Sequence, residues 1–123
     1  MIIHKEQVNN ITIISVGSVL QEEQVFGKVN LDTANSDLLF QSLTQEILKG
    51  NIFILLELQY VSYIYSYGLG LIIDLYKQVV SKGGIIKILS PSIFVQNIFN
   101  TLRINSYIQS VDNKEVAIKN FFS

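Results

Sequence analysis

Residues Ile52 to Leu58 form a nearly continuous apolar run, Ile-Phe-Ile-Leu-Leu-Glu-Leu. A strand of that composition is covered on both faces, so it belongs inside a sheet with layers above and below it. Helix patterns flank it. Upstream, Leu39, Leu43 and Ile47 recur every fourth residue, with Leu38 and Leu48 widening the stripe. Ser36 reads as the N-cap of this helix, Asp37 as a first-turn acid and Gly50 as its stop. Downstream, Leu69, Ile72, Ile73, Tyr76 and Val80 trace a second helix that ends at Lys82-Gly83-Gly84.

The remaining elements alternate in the same way. Ile2 to Lys5 and the β-branched run Ile11 to Val16 make an N-terminal hairpin around Val8-Asn9-Asn10. Ile85 to Leu89 is another apolar strand. Ser90 reads as an N-cap with Pro91 at the first helical position, opening a third helix along Val95, Ile98, Phe99 and Leu102. Tyr107 to Val111 reads as an edge strand, and Asp112-Asn113-Lys114-Glu115 as the start of a short last helix. The order β-β-α-β-α-β-α, then β and α, predicts an α/β fold with a mixed sheet of four or five strands and helices packed on it. A chain of 123 residues suits one domain spanning 1–123.

Composition removes several function classes. The net charge is −1, and the few Lys and Arg residues are scattered, so no nucleic-acid partner is expected. There is no cysteine, and His4 is the only histidine, which leaves no donor set for a metal and no His-based nucleophile system. The carboxylates, Glu57 among them, show no paired arrangement, so neither an enzyme nor a cofactor is expected. Glu57 stands out only because its strand is otherwise apolar; it either orients the following turn or emerges at a sheet end. Residues 58–73 carry no charge, but Gln59, Ser62, Ser66, two glycines and four tyrosines leave them short of the roughly 20 apolar residues of a membrane span. With no apolar run at the N-terminus, a cytoplasmic location is expected.

The chemistry therefore concentrates in Val61-Ser62-Tyr63-Ile64-Tyr65-Ser66-Tyr67-Gly68-Leu69-Gly70, between the central strand and the second helix. A small-residue turn there displays a side chain and free N–H groups at a helix N-terminus, which suits anion binding, phosphorylation or partner docking. Gly68-Leu69-Gly70 is a poor dinucleotide motif, since the third glycine position holds Ile73. Tyr65-Ser66-Tyr67 reads as a docking surface in preference to aromatic cover over the sheet end, because tyrosine is enriched at interfaces.

This stretch resembles the V-x-F-I-D-S-S-G-L-G pattern of the STAS family, whose best-known members are bacterial anti-sigma factor antagonists. Leu56-Glu57-Leu58 is similar to the family's upstream L-D-L, Asp32-Thr33-Ala34-Asn35 to its D-x-x-N loop, Lys82-Gly83-Gly84-Ile85 to a later turn, and Leu89-Ser90-Pro91-Ser92 to the loop before the third helix. The family's G-x-L-D pattern fits either Gly17-Ser18-Val19-Leu20, with an insertion contained within Gln21 to Leu31, or Gly27-Lys28-Val29-Asn30; the first is preferred.

The resemblance implies a non-enzymatic transcription regulator that binds an anti-sigma factor or related serine kinase. Its docking face would be Tyr65, Ser66, Tyr67, Gly68 and Leu69, flanked by Asn35, Ser36, Ser90 and Ser92. It also implies a switch at the serine before the glycine. Here that position is Tyr67, so the usual phosphoserine is absent and Ser66 or Tyr67 becomes the candidate phosphorylation site. The alternative implied by the family is an accessory or small-ligand or lipid-binding module of a transport or stress-signalling complex.

Overall fold

The apolar run does form the middle of a sheet, and everything else is arranged around it. A computed structural model describes all 123 residues. Its main sheet has five strands in the order β1 (Ile2–Val8), β2 (Ile11–Gly17), β6 (Phe53–Glu57), β8 (Ile85–Leu89) and β9 (Ser110–Val111). The β1–β2 pair is antiparallel, while β2–β6, β6–β8 and β8–β9 are parallel, so the sheet is mixed.

Both faces of β6 are covered. Ile54 and Leu56 join Ile14, Val16, Ile86 and Ile88 beneath α1 (Thr33–Leu48), α2 (Ser66–Ser81) and α3 (Ile93–Thr101). Leu55 joins Ile11, Ile13 and Leu89 on the other face, closed by Ala117 of α4 (Lys114–Lys119) and by Phe121. Burying one such aliphatic side chain contributes about 1.5–3 kcal/mol, and this double cover explains why β6 carries almost no polar residue. Lys87 is buried against α4, with its ammonium 5.2 Å from the Phe121 ring centre and near the Asn120 carbonyl.

Four short strands lie outside the main sheet, and none was expected. β3 (Val19–Gln21) and β4 (Gln24–Phe26) form an antiparallel hairpin. Glu22 (φ 50°) and Glu23 (φ 63°) turn its tip in the left-handed region, which costs L-residues roughly 1–2 kcal/mol each. β5 (Val29–Leu31) pairs in parallel with β7 (Val61–Ile64). Gly27-Lys28-Val29-Asn30 thus runs into β5 and directly on to α1, as the G-x-L-D pattern requires. The preferred assignment to Gly17 is corrected: the family match begins at Gly27, and the extra residues are the hairpin Val19–Phe26, which overlaps the expected 21–31 but ends before Gly27.

Several helix details also shift. Asp32, not Ser36, caps α1, its side chain accepting from the Asn35 N–H at 2.9 Å. Leu38 and Leu48 lie outside the buried stripe of α1, and α2 buries Leu75 and Val79 in place of Tyr76 and Val80. Ser92, not Ser90, caps α3, because Ser90 (φ 47°) and Pro91 form the loop before it. Gly50 (φ 92°) stops α1 as expected, in a conformation that glycine adopts without strain.

Candidate functional site

The turn after β7 is built by the β5–β7 ladder. Leu31 lies opposite Ile64, and the Tyr65 N–H donates to the Leu31 carbonyl at 3.0 Å. The starts of α1 and α2 are therefore tied side by side. The ladder slips between Val29 and Asn30, so that Val29 faces Val61 but Asn30 faces Tyr63. Ser62 is the extra residue of this bulge. Such bulges re-aim side chains, and here Tyr63 points outward although Val61, two residues earlier, is buried.

Tyr65 occupies the N-cap of α2 with extended backbone and makes no side-chain cap. The leading N–H groups of α2 are thus left to solvent or to a visitor. Tyr65, Ser66 and Tyr67 are all exposed, the two tyrosines by 47% each. The Tyr67 hydroxyl donates a hydrogen bond to the Asp37 carboxylate on α1. That bond, then partial desolvation and the negative charge of Asp37, raises the Tyr67 pKa above its ordinary value. The hydroxyl stays protonated and held at neutral pH.

Gly68, Leu69 and Ser36, expected on the docking face, are buried beneath it. A Cβ on Gly68 would lie 2.5 Å from the Ser36 Oγ, 3.2 Å from Ile64 Cγ2 and 3.3 Å from the Leu31 carbonyl. The glycine thus serves the close approach of α2 to α1. Ser36 is 3% exposed and its hydroxyl has no hydrogen-bond partner. These three residues shape the surface from below and present nothing to a partner.

The flanking positions are mostly committed to holding the fold. The Asn35 amide donates to the Asn30 carbonyl at 2.8 Å. The Ser92 hydroxyl donates to the Val61 carbonyl at 2.6 Å and accepts from the Val95 N–H, which seats the head of α3 against β7. Ser90 turns away, donating to the Asp112 carbonyl at 2.8 Å.

Three neighbours were not anticipated. The Tyr63 ring stacks on Phe94 of α3 at 4.9 Å and meets the edge of Tyr65 at 5.2 Å. Asp37 had no local signal, because its partner is thirty residues away. Ile93 was legible in principle: it falls outside the Val95–Phe99 stripe of α3 and is 77% exposed.

A concavity lies on the face of the sheet opposite α1, α2 and α3. It measures 350 Å³ and is lined by residues including His4, Glu6, Ser15, Glu22, Glu23, Glu57, Tyr60 and Lys114. Glu57 therefore emerges at a sheet end into this cleft. No group of three or more His, Cys, Asp or Glu side chains is placed to hold a metal ion. No helix is long and apolar enough to cross a membrane.

The fold is shared widely. An anti-sigma factor antagonist from Mycobacterium paratuberculosis superposes with a TM-score of 0.78 at 13% identity, over 97% of this chain and 92% of that one. The phosphorylated form of the Bacillus cell fate determinant SpoIIAA gives 0.71 at 17% identity, over 98% and 99%. The murine anion transporter Slc26a9 gives 0.65 at 14% identity, over 94% of this chain but 18% of the transporter. No curated protein matches the chain by sequence. The STAS domain model matches residues 27–117, beginning at Gly27, where the hairpin ends. With the β7–α2 turn and the order of strands and helices in agreement, this chain belongs to the STAS domain family.

Proposed function

We propose that the chain is a non-enzymatic regulatory domain that reversibly binds a protein partner, an anti-sigma factor or related serine kinase, through Tyr65, Ser66 and Tyr67. The observation that carries this reading is the exposed turn itself, where an aromatic side chain in the position before Gly68 is held by Asp37. Tyrosines presented on a rigid helix start give large contact area with little entropy to lose on binding.

The same arrangement supports docking that does not respond to the family's serine kinase. No serine stands directly before Gly68, and a phosphate on Tyr67 would bring about −1.5 to −2 charge against the Asp37 carboxylate. Incubation with the purified kinase and ATP should leave the intact mass unchanged; stoichiometric phosphate on Ser66 or Tyr67 would overturn this. In a pull-down with a purified ATPase-type anti-sigma factor, Tyr67→Asp should weaken capture by about 2 kcal/mol or more, the range of an interface hot spot. Equal capture of both proteins would remove the turn from the interface.

The alternative, a small-ligand or lipid-binding accessory module, draws support from the 350 Å³ cleft. Four of its lining residues are glutamates, which suits a lipid chain poorly. Copurifying lipid seen by native mass spectrometry would favour that alternative.

A further inference from the structure

We propose that Asp37 and Tyr67 together receive a cationic side chain of the protein partner, best met by the guanidinium fork of an arginine. This rests on the partner-binding reading above and adds the charge that the partner must bring.

The Tyr67 hydroxyl reaches from the first turn of α2 to the Asp37 carboxylate on α1, and the pair lies at the surface. An ionised carboxylate accepts about four hydrogen bonds through its two oxygens. Here Oδ1 accepts from Tyr67, and none of the molecule's ion pairs involves the group. Asp37 also lies beyond the first turn of α1, where the helix dipole would offset its charge. A partner surface that covers Tyr67 covers Asp37 with it, because the two are bonded. Taking a carboxylate out of water with one neutral donor is costly, and a cation with further donors removes that cost.

The surroundings fix the sign. On the four elements that frame the turn, β5, α1, β7 and α2, the charged residues are Asp37, Glu46, Asp74 and Lys77. Glu46 is held by Lys5 and Lys49 near the far end of α1. Lys77 lies about 15 Å along α2 beyond Tyr67. Lys28 stands at the opposite end of the β5–β7 ladder from the turn, whereas Asp32 caps α1 beside it. The charges next to the turn, Asp32 and Asp37, are therefore both negative. Arginine suits this place because its planar fork meets carboxylate oxygens while its flat face lies on an aromatic ring, and Tyr67 offers such a ring. The same charge turns away anionic lipid headgroups and nucleic-acid phosphates.

The test is calorimetry against a purified ATPase-type anti-sigma factor, with Asp37→Asn as the decisive variant. Asparagine keeps an acceptor for the Tyr67 hydroxyl and the shape of the side chain, and removes the charge. We expect Asp37→Asn to weaken binding about tenfold or more, with a urea unfolding midpoint equal to that of wild type. High salt should weaken wild-type binding more than that of the variant, which lacks the charge being screened. If Tyr67→Asp abolishes binding while Asp37→Asn binds as wild type does, the cation is refuted and the turn stands. If wild type fails to bind, the partner reading falls and this inference with it. A loss in Asp37→Asn with no difference in salt response gives Asp37 a role in shape alone and overturns the proposal. An Asp37-dependent dimer in light scattering gives the site to Arg103 of a second copy, the one arginine of this chain, and overturns it too.

Discussion

The two ends of α1 treat a carboxylate in opposite ways. At the C-terminal end, Glu46 is buried and surrounded by donors: Lys5 at 3.0 Å, Asn51 at 3.0 Å and Lys49 at 3.3 Å. Burial acts to raise its pKa, but hydrogen bonds from Lys5, Asn51 and Lys49 and the charge of Lys5 outweigh burial and hold it below the ordinary value. At the N-terminal end, Asp37 has one partner, the Tyr67 hydroxyl, at the surface. Below it the Ser36 hydroxyl is unpaired against Gly68. The first end ties β1 and the loop after α1 together. The second is sparsely bonded and displays side chains. Stability and display have been placed about two and a half helical turns apart on one element.

The largest expected effect is at the display end. Gly68→Val forces a side chain into the α1–α2 contact and should destabilise by about 1–3 kcal/mol in urea unfolding, as overpacking does. Part of that loss should return when Ser36→Ala is added, because the two residues share one space. Additive effects would mean that the glycine serves the turn and not the helix contact.

At the other end, Glu46→Gln should cost about 1–2 kcal/mol at neutral pH, discounted for the exposure of Lys49. Because Glu46 has a lowered folded pKa, its contribution is present above its ordinary carboxylate pKa and is lost as pH falls through the lower folded value. The glutamine variant should therefore lose less stability on acidification than wild type. Parallel acid limbs would show that the network is energetically idle. The smallest effect is Asp37→Asn, which should return the Tyr67 ionisation toward its ordinary value in a spectrophotometric titration with little change in unfolding.

The sequence carried the four longer strands of the main sheet and its helices because their signals are long and periodic, whereas the edge strand read at Tyr107–Val111 is reduced to Ser110–Val111. Ile52–Leu58 could only be central, and the Leu39–Leu43–Ile47 stripe could only be a helix face. The strands β5 and β7 escaped because they are three and four residues long, and a bulge at Ser62 breaks the alternation that marks a strand. The hairpin escaped because its tip carries Glu-Glu where a two-residue turn normally shows Asn or Gly. At the site, the exposed tyrosines were readable from the turn. Asp37 and Phe94 were not, since both reach it through tertiary contacts from other helices.

The parallel ladder between β5 and β7 sets how this scaffold tolerates changes in chain length. Both helices that frame the turn emerge from one small clasp, so an added or deleted residue in either strand would rotate one helix relative to its neighbour. The β3–β4 hairpin just before Gly27 pairs with neither the main sheet nor this clasp, and it lies outside the region that the family model matches. Growth and trimming of this architecture have their room in that hairpin, while the register of the strands on either side of it is locked.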